Sequence, residues 1–258
     1  MKKFKLYGSL VALAAAVLLT SCLGDSGNST QSAETQFAVA HTDSKSMKTV
    51  LDVYYYGPLY SPSVELMVNP GSCYFIDYQI DFSTPENVNA ATNGYYIANI
   101  GNVTEIDKAF PVLQVADTTA LLENEQPVEK FAVGTYVSGH FLLGMNFAQL
   151  KNQQTRWEVY YDPSQEARET TSGERYYDLF VRAVKKVDGE GSSSTTAVVY
   201  RSVLLKNFIE QCNEREKANS KKTFNLKFNY LKSFDAKDGT DLKWESVSVP
   251  FTVSSTTN

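Results

Sequence analysis

Apolar and polar positions alternate with a period of two over much of this chain, and a β-strand is the element whose successive side chains point to opposite faces. Tyr74, Ile76, Tyr78, Ile80 and Phe82 share one face of a run that starts at Cys73, with Asp77 and Asp81 on the other. Tyr177, Leu179, Val181 and Ala183 alternate with Asp178 and Arg182, which predicts a half-buried strand with the charged pair outward. Phe224, Leu226, Phe228 and Tyr230 alternate with Asn225, Lys227 and Asn229 in the clearest strand of the chain. Shorter runs at 50–56, 94–100, 130–137, 141–147, 156–161, 197–205 and 247–253 have the same character. They end at turn signals such as Gly57-Pro58, Asp162-Pro163, the polar stretch 188–194 and Asp238-Gly239. Pro250 within the last run predicts a sheet edge or a bulge, because proline cannot donate to a ladder. Only Leu205, Phe208, Ile209 and Cys212 follow a helical stripe, which predicts one helix over 206–217. The fold class is all-β.

Periodicity weakens at both flanks of the first group of strands. Residues 23–47 are rich in Ser, Thr, Gly, Asn and Gln and hold few large apolar side chains, so they read as a flexible tether. Residues 107–129 contain Pro111 and Pro127 and read as a connection between two β units. The expected division is a leader at 1–21, a tether at 22–46, a first β domain at 47–108, a linker at 109–129 and a second β domain at 130–258.

The N-terminus says where the protein works. Lys2, Lys3 and Lys5 precede an apolar stretch over 10–19, which is too short for the ~20 residues that span a bilayer but suits a signal segment. Leu18-Leu19-Thr20-Ser21-Cys22 resembles the lipobox of bacterial lipoproteins, in which the cysteine thiol is acylated after cleavage. This implies a palmitate-type lipid anchor on Cys22 and membrane attachment through it. The first 21 residues carry three basic residues and no acid, so the remainder has 21 basic against 29 acidic residues, a net charge of −8. That balance excludes nucleic-acid binding through a basic patch and suits a body held on a tether.

Candidate chemistry is sparse. With Cys22 acylated, Cys73 and Cys212 remain; an envelope compartment permits a disulfide between them, and two independent thiols are the alternative. His41 falls in the tether and His140 beside a strand, and no Gly-x-Ser-x-Gly elbow accompanies either. No Cys or His spacing fits zinc, and the acids around Gly239 fit a turn better than a calcium loop, so no metal or cofactor is expected. Asp77, Asp81 and Glu158 could serve a carboxylate glycosidase, but alternate strand positions face solvent by default. The doubled tyrosines 54–56, 95–96, 160–161 and 176–177 must each turn one ring outward, where it could stack on a sugar or a partner.

In order and spacing, several segments resemble the NigD-like family of Bacteroides-type lipoproteins. They are Gly71-Ser72-Cys73-Tyr74-Phe75-Ile76-Asp77-Tyr78, then Tyr95-Tyr96-Ile97-Ala98-Asn99-Ile100 with Ile106-Asp107-Lys108, then the stretch 131–147. Tyr136 stands where the family has Trp, His140-Phe141 replaces a polar-Tyr pair, and Arg182-Ala183-Val184 replaces an Arg-His-Asn step. The resemblance implies a small OB-like barrel followed by an antiparallel β-sandwich, and no catalytic residues. The expected protein is a lipid-anchored, non-catalytic binding or assembly protein of the outer membrane, with a protein or glycan partner. A carboxylate glycosidase and a structural or pilus-associated subunit are the alternatives. Surface-exported lipoproteins of this group tend to carry an acidic cluster behind the lipidated cysteine. Leu23-Gly24-Asp25-Ser26 supplies one acid, which leaves the cell surface and the periplasmic face both open.

Overall fold

The computed structural model describes residues 29–235 and 237–254. The leader and Cys22 lie outside the described residues. The chain divides into two compact units, Met1–Glu105 and Ile106–Asn258.

The first unit is a closed barrel of β1 (Thr30–Thr42), β2 (Thr49–Val53), β3 (Gly57–Tyr60), β4 (Cys73–Asp81) and β5 (Tyr96–Ile106), in the order β1-β2-β3-β5-β4. Two single-turn helices, α1 (Pro85–Val88) and α2 (Ala90–Asn93), bridge β4 to β5. The barrel closes because β1 serves two neighbours. Its C-terminal part pairs antiparallel with β2, from Ala38↔Val53 to Thr42↔Thr49, while Thr30↔Asp81 to Val39↔Cys73 join it to β4. A bulge between Ala33 and Gln36 bends the strand, with Thr35 at φ 51°. Tyr74, Ile76, Tyr78 and Ile80 point into the core with Ala38, Ala40, Leu51, Val53 and Leu59, on the face their alternation predicts.

The tether expected over 22–46 is therefore corrected: from Thr30 to Thr42 it is a barrel strand. Phe37, Ala38, Val39 and Ala40 are all buried; Ala38 and Val39 have β2 on one side and β4 on the other, and Ala38 and Ala40 belong to the barrel core. Alanines and polar residues at the other positions give the strand too little hydrophobic amplitude to be read.

The second unit is a sandwich. One sheet follows the path β15-β14-β12-β10-β6 and the other runs β13-β9-β8. The strands are β6 (Phe110–Val112), β7 (Glu125–Gln126), β8 (Lys130–Val137), β9 (His140–Lys151), β10 (Gln154–Tyr160), β11 (Arg168–Glu169), β12 (Arg175–Val187), β13 (Glu190–Leu204), β14 (Thr223–Ser233) and β15 (Lys243–Thr252), with β7 and β11 pairing β12 off the main path. Val137 pairs with His140 across Ser138-Gly139, both at positive φ (46° and 88°), the backbone that a two-residue hairpin of matching twist requires. Pro250 sits on β15, an edge of its sheet. The sandwich is not wholly antiparallel: β12–β14 and β6–β10 run parallel. The predicted helix is present as α3 (Lys206–Ala218), with Phe208, Ile209 and Cys212 buried against the shared core.

The linker expected over 109–129 is also corrected, since it supplies two strands of this unit. β6 pairs with β10, and β7 pairs with β12 through Ala183↔Gln126 and Val184↔Glu125. Between them the chain lies against the outer side of β12, held by Arg182. That guanidinium is 1% exposed; it donates to Glu125 at 2.7 and 2.6 Å and to the carbonyls of Asp117 and Ala120 at 2.8 Å each. It lies 5.5 Å from the Trp244 ring, whose Nε1 donates to the Thr118 carbonyl at 3.2 Å. Arg182 and Asp178, expected to face solvent, are both buried because this covering makes β12 a central strand with two buried faces. Asp178 accepts from Arg168 at 3.0 Å and from Asn229 at 2.8 Å.

Two predictions follow from these closures. A fragment over 27–105 should refold with a strand-type circular dichroism spectrum and a cooperative melt, whereas one over 47–105 should not, because it lacks β1. Arg182→Met should destabilise the second unit by about 3–5 kcal/mol in urea titration, since it leaves the Glu125 carboxylate buried and unpaired. Pairing it with Glu125→Leu should recover part of that loss.

Candidate functional site

Apart from Cys22, which lies outside the described residues, the structure places the residues singled out by sequence and shows what each holds. Asp77 and Asp81 sit on the outer side of β4 as structural acceptors. Asp77 takes the Thr35 N–H at 2.8 Å, a donor that the β1 bulge leaves without a ladder partner, and the Asn102 amide at 2.5 Å. Asp81 accepts from Ser29 Oγ at 2.9 Å and from the N–H and hydroxyl of Ser83 at 2.9 and 2.6 Å, bonds that hold its carboxyl below the usual range. Glu158 is in the second unit and buried. It accepts from Tyr160 Oη at 2.8 Å and pairs with Arg156 Nε at 2.9 Å. Burial, reinforced by the bond to Glu158, pushes the Tyr160 hydroxyl up to about 12.

The Cys73–Cys212 disulfide is corrected. Cys73 is in β4 and Cys212 in α3; each is a buried thiol inside a different unit, not one half of a bridge. Burial pushes the Cys212 thiol up to about 12, which keeps it protonated and unreactive. His41 belongs to β1 rather than to a tether, with Nδ1 3.2 Å from an Asp52 oxygen. His140 is buried at the start of β9, 3.2 Å from the Ser138 carbonyl. Among the described residues, no group of three or more His, Cys, Asp or Glu side chains could hold a metal ion.

Most doubled tyrosines are covered on both sides. Tyr160 and Tyr161 are both buried, Tyr177 is buried, and Tyr176 carries Lys227 over its ring at 4.9 Å. Tyr95 is buried beside Tyr60, with Lys48 Nζ donating to its hydroxyl at 2.8 Å. Tyr54 and Tyr55 are the exception: both stand exposed on the β2–β3 turn.

Two buried ion pairs escape the sequence reading. Arg182–Glu125 is hidden because Glu125 falls in the apparent linker. Glu216 is fully buried on α3, taking Arg175 through 2.6 and 3.0 Å bonds and Tyr177 Oη at 2.7 Å. Its position four residues after Cys212 puts it on the same helical stripe, a signal the sequence does contain. These ties fix α3 against the sheet. Beside α3 opens a cleft of about 970 Å³. Tyr136, Ile209, Phe224 and Phe251 form its floor, and Glu210, Glu214, Asn207 and Asn213 stand among its polar lining. Its aromatic floor and its amide and carboxylate lining offer shape and hydrogen bonding to a ligand.

Stability should fall on acidification in two stages. Burial lowers the proton affinity of His140 in the fold, so below its ordinary 6.5 the unfolded chain binds a proton that the folded chain refuses. Asp43, Asp81, Asp117, Asp162 and Asp238 are each held below 3.8, first by a Ser or Thr hydroxyl two or three residues on. Their contribution is present above 3.8 and is lost as the pH falls through their folded values. Melting temperatures taken across the acid range should show both stages, with His140→Phe removing the upper one.

Residues 27–104 match the family model of the lipoprotein OB domain. No curated protein matches the chain. Among solved structures, an uncharacterised protein of Parabacteroides merdae is 22% identical with a TM-score of 0.73, over 87% of this chain and 99% of that one. A candidate lipoprotein of Bacteroides fragilis is 9% identical with a TM-score of 0.53, over 84% and 96%. At these identities the likeness shows the fold alone. A NigD-like immunity protein of Bacteroides caccae is also a neighbour, at 14% identity and a TM-score of 0.45 over 86% and 94%, a level that carries no argument. None of these relatives is described as an enzyme. The chain thus matches the lipoprotein OB domain over its barrel unit, and 87% of its length shares a fold with the Parabacteroides merdae protein.

Proposed function

We propose that this chain is a lipid-anchored, non-catalytic binding or assembly protein of the outer envelope, which offers the cleft beside α3 to a protein or glycan partner. The observation that carries the reading is how the polar groups are spent. Asp77, Asp81, Glu158, Glu125 and Glu216 each neutralise or cap a neighbour in their own unit, while the α3 cleft stays open with an aromatic floor. The lipobox-like run ending at Cys22 and the match to a lipoprotein domain support the anchor.

Cys22→Ala should move the protein from the membrane fraction to the soluble fraction. Protease shaving of intact cells, read by loss of the 224–253 region, would assign the body to the cell surface; full protection would assign it to the periplasm. The purified chain should release no reducing ends from peptidoglycan or from polysaccharides. Release that falls by orders of magnitude in Glu158→Gln would overturn the reading in favour of a glycosidase, and self-association of the purified body would favour a structural subunit.

A further inference from the structure

The exposed pair on the β2–β3 turn has a particular place on the barrel. Tyr54 is 64% and Tyr55 66% exposed, and their rings meet edge to face at 4.9 Å. Neither hydroxyl has a partner among the described residues. The next residue, Tyr56, turns back onto the barrel and lies 5.9 Å from the Phe82 ring. The Phe82 N–H in turn donates to the Ser29 carbonyl at 2.8 Å. The Tyr54–Tyr55 turn therefore stands at the end of the barrel where the chain enters at Ser29. Val88, 70% exposed at the end of α1, belongs to the same end, since its neighbour Asn87 holds the Asp81 carbonyl at 2.8 Å.

We propose that Tyr54 and Tyr55 are a second membrane contact, seated in the lipid headgroup layer of the leaflet that holds the Cys22 acyl chains. The inference rests on the anchor proposed above. Ser29 is seven residues after Cys22, a reach of at most about 25 Å, so an anchor on Cys22 keeps the Ser29 end of the barrel within that distance of the bilayer. Tyrosine is suited to that layer, with its ring in the apolar boundary and its hydroxyl in water. From Val53 to Val64 the sequence holds no charged residue, so seating the turn desolvates none. At this end Glu86 is an exposed acid, whereas the Asp81 carboxylate is taken up by Ser29 and Ser83. The contact is therefore aromatic, and it does not depend on anionic lipid.

The acylated full-length chain, reconstituted in phosphatidylethanolamine–phosphatidylglycerol vesicles, tests this with an environment-sensitive fluorophore on Tyr55→Cys. The same label on Met47→Cys is the control, at the exposed β1–β2 turn beyond the far end of β1. Brominated acyl chains should quench the label at 55 several-fold more than at 47, with a blue shift at 55 alone. In the unsubstituted chain, amide exchange over 53–57 should slow on vesicles relative to Cys22→Ala in solution. Equal quenching at 55 and 47, or unchanged exchange, in protein that floats with the vesicles would overturn the contact and leave the anchor standing. Protein that does not float would overturn the anchor and the contact with it.

Discussion

The second unit depends on one buried ion pair. A sheet that is covered on both faces must bury the outward side chains of its central strand, and on β12 one of these is an arginine. An unpaired guanidinium in that position would be prohibitively costly. Glu125 supplies two oxygens, and the carbonyls of Asp117 and Ala120 satisfy further donors. Because these partners come from residues 117–125, neutralising Arg182 also fixes the path of that segment over the sheet. The charge and the covering segment thus require each other.

The same logic operates at the helix and in the barrel. Glu216 enters the core on the apolar stripe of α3, and Arg175 and Tyr177 fix the register of the helix against the sheet. In the barrel, β1 must bend to pair with both β2 and β4. The bulge that allows the bend frees the Thr35 N–H, which Asp77 receives. Carboxylates that could pass for catalytic groups are therefore the means by which two modest β units satisfy their own backbone and buried charges.

The function proposed above rests on surfaces rather than on a reactive centre. A cleft with an aromatic floor and amide and carboxylate lining can discriminate by shape and hydrogen bonding. With the anchor on Cys22 that we propose, the seven-residue step to Ser29 would limit how far the barrel can stand from the lipid. A tether over 22–46 would allow a longer reach than a strand that begins at Thr30.

The sequence by itself determined the β class, the strand faces at 74–80 and 224–230, the single long helix and the place of Pro250 at an edge or a bulge. Each is a local consequence of side-chain period or of proline's missing donor. The match of residues 27–104 to a lipoprotein OB domain agrees with the barrel expected from the NigD-like resemblance. The sequence did not reveal β1, whose Ala38 and Ala40 become core only in the barrel, or β6 and β7, whose three- and two-residue lengths carry no period. Nor did it reveal that Asp178 and Arg182 are buried, because alternation tells which residues share a face and not whether that face meets water. Covering a face is decided by segments distant in sequence, and so are the partners of Glu125, Glu216 and Asp77. Only the tertiary structure settles those.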